Sequence, residues 1–133
     1  MKKAYLSISF QKRKELQNEI AAIQQVLSAF NIALFVFVDK HLFTKEQEKQ
    51  MMQQAFTDID SSDLLIAEVS EKAIGVGIEI GYAVAAKKPV IYLRNKQAEH
   101  STTAAGAANH ILIYGSLEDL KEKLIAILPA VIG

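Results

Sequence analysis

Cysteine is absent from the 133 residues. That excludes disulfide staples, thiol nucleophiles and cysteine-based zinc sites, and it matches the reducing cytoplasm expected as the location. Net charge is absent as well, because 15 Lys and Arg offset 15 Asp and Glu. The basic footprint of a protein that binds a nucleic acid polymer is therefore missing. No apolar run approaches the ~20 residues of a membrane span. The apolar part of Met1 to Ser9 is too short for a signal peptide, so no membrane partner is expected. Repeats, low-complexity tracts and linkers are also lacking. His41 and His110 have no neighbours in sequence that suggest a metal site, and no metal or organic cofactor is implied.

What is present is ordinary globular composition, 50% hydrophobic and 23% charged. The length predicts one domain, residues 1–133, large enough to bury a core without staples. Short β-rich runs alternate with longer helical patterns. Ala4–Ser9, Ile32–Val38, Leu64–Val69, Pro89–Leu93 and Ile111–Tyr114 read as strands. Lys12–Phe30, Lys45–Ile59, Gly77–Lys87 and a segment opened by Ser116 read as helices. Thr44 with Gln47 forms a capping-box pattern, and Ser116 with Asp119 a second cap. Continuous apolar strands between helices predict an α/β fold: a doubly wound five-stranded parallel sheet, order 2-1-3-4-5, with helices on both faces. Asn95–Asn109 reads as one long irregular loop, a length that usually carries function or disorder.

The most informative stretch is Gly75-Val76-Gly77-Ile78-Glu79-Ile80-Gly81-Tyr82-Ala83, which follows the apolar strand Leu64–Val69. It places Glu79 near a helix start at the carboxyl end of a strand, where open α/β sheets hold ligands. Two readings of Glu79 stand side by side. One is a nucleophile or acid–base carboxylate in a pocket made by Val76, Ile78 and Ile80. The other is an acidic residue favoured by the helix macrodipole. The glycines are spaced one residue longer than the dinucleotide fingerprint, follow the third strand, and include a Glu that would repel a pyrophosphate, so that ligand is rejected. Lys12, Arg13 and Lys14 open the first predicted helix beside Ser9, where cations are unfavourable. They read as a solvated face, with an anion patch as the second possibility.

Asp63–Ser70, Gly75–Ala83 and Lys88–Leu93 together resemble the nucleoside 2-deoxyribosyltransferase family, and within it the branch of deoxynucleoside 5′-monophosphate N-glycosidases. The resemblance runs from Tyr5 to about the fifth strand. It implies that Glu79 is the nucleophile, attacking the anomeric carbon and releasing the base, with water or a second base resolving the glycosyl-enzyme. It implies that Tyr5 lies near the sugar and nucleophile, that Ser9 contacts a phosphate, and that Gly75 and Gly77 belong to the nucleophile loop. It also implies that a loop hydroxyl near Thr102 or Thr103 reaches a neighbouring subunit's site, so a homodimer or higher homo-oligomer is expected. Arg94 with Ser101, Thr102 and Thr103 reads as a phosphate cradle, which leans toward a phosphorylated substrate and hydrolysis. The expected partner is thus a small nucleoside or nucleotide. Two positions depart from the family pattern. Ala55 and Ala73 stand where polar groups are usual, with Asp58 one turn beyond Ala55 as a stand-in. A non-catalytic nucleotide-binding or sensing module on the same fold is the alternative, and an assembly domain is a third.

Overall fold

The computed structural model describes residues 1–133. Five parallel strands, β1 (Lys2–Ser7), β2 (Ile32–Val36), β3 (Leu64–Glu68), β4 (Val90–Asn95) and β5 (His110–Tyr114), form one sheet in the order β2-β1-β3-β4-β5. This is the expected topology. Six helices cover it: α1 (Gln17–Ala29), α2 (Phe37–Lys40), α3 (Glu48–Asp60), α4 (Ile74–Ala85), α5 (Thr102–Ala107) and α6 (Leu117–Ile132).

Side chains alternate across the pleat, so each strand feeds two cores. Ala4, Leu6 and Ile8 join Ile66, Ile91 and Leu93 beneath α1 and α6. Tyr5 joins Leu65, Ala67, Val90 and Tyr92 beneath α3 and α4. β3, at the centre, is buried at all five positions, as a strand covered on both faces must be. Helix entries follow the sequence cues. The Gln47 side chain accepts the Thr44 N–H at 2.9 Å, and Ser116 Oγ accepts the Asp119 N–H at 3.0 Å.

Several boundaries differ from expectation: β1 runs Lys2–Ser7 and not Ala4–Ser9, β4 runs on to Asn95, and α3 starts at Glu48 after a separate turn at Lys45–Gln47. β2 stops at Val36, and Phe37 begins the short α2, which turns its ring toward Tyr5 with centroids 6.2 Å apart. α1 starts at Gln17, not Lys12. The three cations therefore lie before the helix, clear of its positive end. Arg13 pairs with Asp39 at 2.8 Å, and Lys12 with Glu15 at 2.7 Å. α4 starts at Ile74, three residues early, so Gly75 and Gly77 lie in its first turns and not in a preceding loop. Finally, Asn95–Asn109 is not wholly irregular, since Thr102–Ala107 forms α5.

Candidate active site

Tyr5 and Ser7 sit two residues apart on β1 and point to the same face. α4 lies across that face with Val76, Ile80 and Ala83 buried. Glu79, three residues after Val76, shares their inward side. The result is a carboxylate clamped by one strand. Tyr5 Oη donates to Glu79 Oε2, and Ser7 Oγ donates to Oε1 at 2.5 Å. Ser7 was not among the residues singled out from the sequence. Its signal was a hydroxyl at the period-two position after Tyr5, in an otherwise apolar strand.

The electrostatics of this clamp are opposed. Burial pushes the Glu79 carboxyl above its ordinary range, and the Ser7 and Tyr5 hydroxyls pull part of the way back. Burial and the adjacent carboxylate push the Tyr5 phenol upward, with a smaller contribution from Asp58. Tyr5 is therefore a neutral hydrogen-bond donor throughout the physiological range. Its ring is fully buried and packs on Phe35 at 5.8 Å.

A cavity of about 100 Å³ opens in front of the carboxylate. Glu79 and Tyr5 meet Ser9 and Gly75 there, and Phe37, Met51, Met52 and Ala55 form apolar walls. Ala55 and Ala73 both line it, so no acidic side chain besides Glu79 does. Asp58 is not a substitute. It is held by His41 at 3.0 Å and Gln54 at 3.1 Å, outside the lining. A cation on His41 would be needed to make that contact an ion pair. A second cavity of about 400 Å³ adjoins the first, sharing Ala73 and Val76 and containing Gly77, Ser101, Thr103 and Glu71.

Ser9 is buried, and its Oγ donates to Glu71 Oε1 at 2.7 Å. Ser101 and Thr103 are brought to the second cavity, whereas Thr102 is exposed and lines neither. Arg94 also lines neither. Its guanidinium donates to the carbonyls of Asn95 at 3.3 Å and Ala98 at 2.5 Å, which fastens the loop leading to Ser101. His100 Nδ1 lies 3.3 Å from Tyr92 Oη. No backbone φ requires glycine at Gly75 or Gly77, and a Cβ at either would meet nothing within 4 Å. They leave open space at the mouths of the two cavities. No group of three or more His, Asp or Glu side chains converges as metal ligands do.

A second clamped carboxylate occupies the opposite face. Glu68 is buried and accepts from Tyr114 Oη and from the N–H and Oγ of Ser70, both at 2.8 Å. Ser70 Oγ in turn accepts the Asn95 N–H at 2.8 Å. This network ties β3 to β4 and β5, and Glu68 is 3% exposed. Glu68 also lines a cavity, of about 330 Å³, with Lys12, Glu15 and Asn95, whereas Glu79 lines the cavity of about 100 Å³ on the α4 face.

Fold and site together define a doubly wound α/β protein with a hydroxyl-clamped carboxylate at the carboxyl edge of its sheet. The family model for nucleoside 2-deoxyribosyltransferase matches residues 4–123, and the chain belongs to that family. A Thermofilum pendens protein, 2'-deoxynucleoside 5'-phosphate N-hydrolase 1 by its name, is 27% identical over 125 residues, covering 85% of this chain and 87% of that one. A Syntrophotalea carbinolica protein of the same name is 42% identical over 65 residues, 47% of this chain and 46% of its own. The solved CMP N-glycosidase BcmB of Clostridium botulinum shares the fold at a TM-score of 0.68 and 22% identity, covering 96% of this chain and 100% of that one. No helix is long and apolar enough to cross a membrane.

Proposed function

We propose that the chain cleaves the N-glycosidic bond of a nucleoside or nucleoside 5′-monophosphate with Glu79 as nucleophile. The observation that carries this is the Glu79 carboxylate, presented to a cavity by Tyr5 and Ser7 in a member of this family. The names of the two relatives support hydrolysis as the outcome.

A Glu79 oxygen attacks C1′ of the sugar. The C1′–N bond breaks, and its electron pair leaves with the base. With alanine at 55 and 73, the base takes its proton from solvent. Water then attacks C1′, loses a proton, and frees Glu79 as a carboxylate. The balance is one water consumed, one free base and one free sugar or sugar phosphate produced. A second base in place of water gives transfer. Tyr5 and Ser7 hold the carboxylate in place for attack and stabilise it again as it departs. Gly75 and Gly77 keep the approach open. Ser9 lies toward the sugar's far end. Ser101 ends the loop that Arg94 braces, and Thr102 and Thr103 open α5 directly after it. That segment, whose Ser101 and Thr103 line the second cavity with the exposed Ile74 of α4, is the surface at which a second copy would complete the site.

The test is base release from a panel of nucleosides and 5′-monophosphates, ribo and deoxy, beside Glu79→Gln. The expected loss in Glu79→Gln is ~10³-fold or more. Undiminished release by that variant would sink the assignment. One observation favours a second reading, a pocket that binds without turnover. The cavity has no acid to protonate the departing base. That reading predicts thermal stabilisation by nucleotides with no product formed.

A further inference from the structure

Lys12, Arg13 and Lys72 around Ser9 are already paired within the chain, whereas Lys14 is exposed and outside these pairs. Ser9 lines the Glu79 cavity, yet its hydroxyl is committed to Glu71 Oε1 at 2.7 Å. Lys12 Nζ lies 3.6 Å from the other oxygen of the same carboxylate and 2.7 Å from Glu15. Two neighbouring cations are engaged as well. Arg13 is held by Asp39 and Lys72 by Glu99, at 2.8 and 3.1 Å. A hydroxyl donor and an ammonium converging on one carboxylate make an anion seat, and its occupant is part of the chain.

The seat opens beside the nucleophile's cavity, since Ser9 lines that cavity with Glu79 and Glu71 lines the adjoining one. Ser7 touches Glu79, and Ser9 follows two residues later, just past the end of β1, with extended backbone at Ser9 itself, which puts the two serine Cα atoms roughly 6–7 Å apart. A sugar whose C1′ faces Glu79 turns its 5′ substituent across the ring, toward Ser9 and Glu71. A phosphate there would meet the Glu71 carboxylate head on. An uncharged 5′-hydroxyl would donate to Glu71 instead. Like charges in contact are a device for rejecting the wrong partner.

We infer that Glu71 is a specificity-determining residue. It fills the seat of Ser9 and Lys12 and selects substrates with an uncharged sugar 5′ end, nucleosides over their 5′-monophosphates. The inference rests on the N-glycosidase reading of the pocket. It would set this chain apart from the two relatives named for 5′-phosphate substrates.

The experiment compares each deoxynucleoside with its 5′-monophosphate in wild type, Glu71→Gln, Glu71→Ala and the Lys12→Ala/Glu71→Ala double variant. Base release gives the ratio of kcat/KM values. Thermal stabilisation of the same proteins in the Glu79→Gln background gives the ratio of affinities without turnover. Glu71→Gln keeps an acceptor for Ser9 and removes only the charge. Wild type is expected to favour the nucleoside. Removing the charge should move the ratio toward the monophosphate by about tenfold or more, the scale of one relieved like-charge contact. That gain should disappear in the double variant, because Lys12 then no longer receives the phosphate. Wild-type preference for the monophosphate overturns the inference, and so does a ratio that Glu71→Gln leaves unmoved. If no base is released, the stabilisation ratios still decide the role of Glu71, while the catalytic reading alone fails. Absence of stabilisation by every member of the panel overturns both.

Discussion

Tyr5→Phe isolates one arm of the clamp. The ring keeps its packing against Phe35 and Phe37, with centroids 5.8 and 6.2 Å away, and only the hydroxyl that donates to Glu79 is lost. The partly buried carboxylate keeps Ser7 alone. A hydrogen bond to a charged group contributes ~1.5–3 kcal/mol, and 1.36 kcal/mol is a factor of ten. Burial already raises the Glu79 pKa and the two hydroxyls lower it, so losing one moves it further up. The ionised nucleophile then needs a higher pH. On the acid limb of the kcat/KM profile, base release should fall ~10- to 100-fold, while the alkaline plateau falls less, because a less stabilised carboxylate attacks more readily. Full pH profiles for wild type, Tyr5→Phe and Ser7→Ala are the assay, with thermal melting as the folding control. A loss equal at every pH, with the acid limb unmoved, would refute the argument and place Tyr5 against the substrate instead.

Three further outcomes follow from the same geometry. Because the Glu79 pKa is raised on folding, the stability its proton confers is complete below its ordinary 4.5 and is lost as pH rises through the folded value. Glu79→Gln, which cannot ionise, should therefore be more stable than wild type at neutral pH. The difference should shrink as pH falls toward 4.5, and a pH-independent difference in denaturation would contradict the origin given. Gly75→Ala places a methyl group in open space at the cavity mouth within a helix, so it should raise stability by up to about 1 kcal/mol while lowering base release. A gain in both would show that the space is not used. Tyr114→Phe leaves Glu68 short of a donor on the opposite sheet face and should cost ~1–3 kcal/mol in chemical denaturation, with kcat/KM unchanged.

Sheet order and strand number were legible because five apolar runs separated by helical patterns leave few parallel topologies. The end of β2 was not. Ile32–Val38 is apolar throughout, so periodicity carries no mark where Phe37 leaves the sheet to pack on Tyr5. α5 was hidden for a related reason, since Thr102–Ala107 has small residues on all sides and no apolar stripe. The start of α4 was obscured by Gly75 and Gly77, which read as loop residues although their backbone is helical. Within the site, Glu79 stood out by position and Tyr5 by resemblance. Ser7 and Glu71 did not, since each acquires meaning only through a partner distant in sequence, 72 residues away for Ser7 and 62 for Glu71. Arg94 has the chemistry for phosphate, but the turn after β4 folds two carbonyls onto its guanidinium.

The measurement that reaches the central claim most directly is a covalent trap. Wild-type protein is incubated with a 2′-fluoroarabino nucleoside and, separately, its 5′-monophosphate, and then quenched in acid. Fluorine at the 2′ position slows the second step and lets the glycosyl-enzyme accumulate. Peptide mass spectrometry should then find the fluorinated sugar esterified to Glu79, and no adduct in Glu79→Gln. Base release without any adduct, or an adduct on another side chain, would contradict Glu79 as the nucleophile.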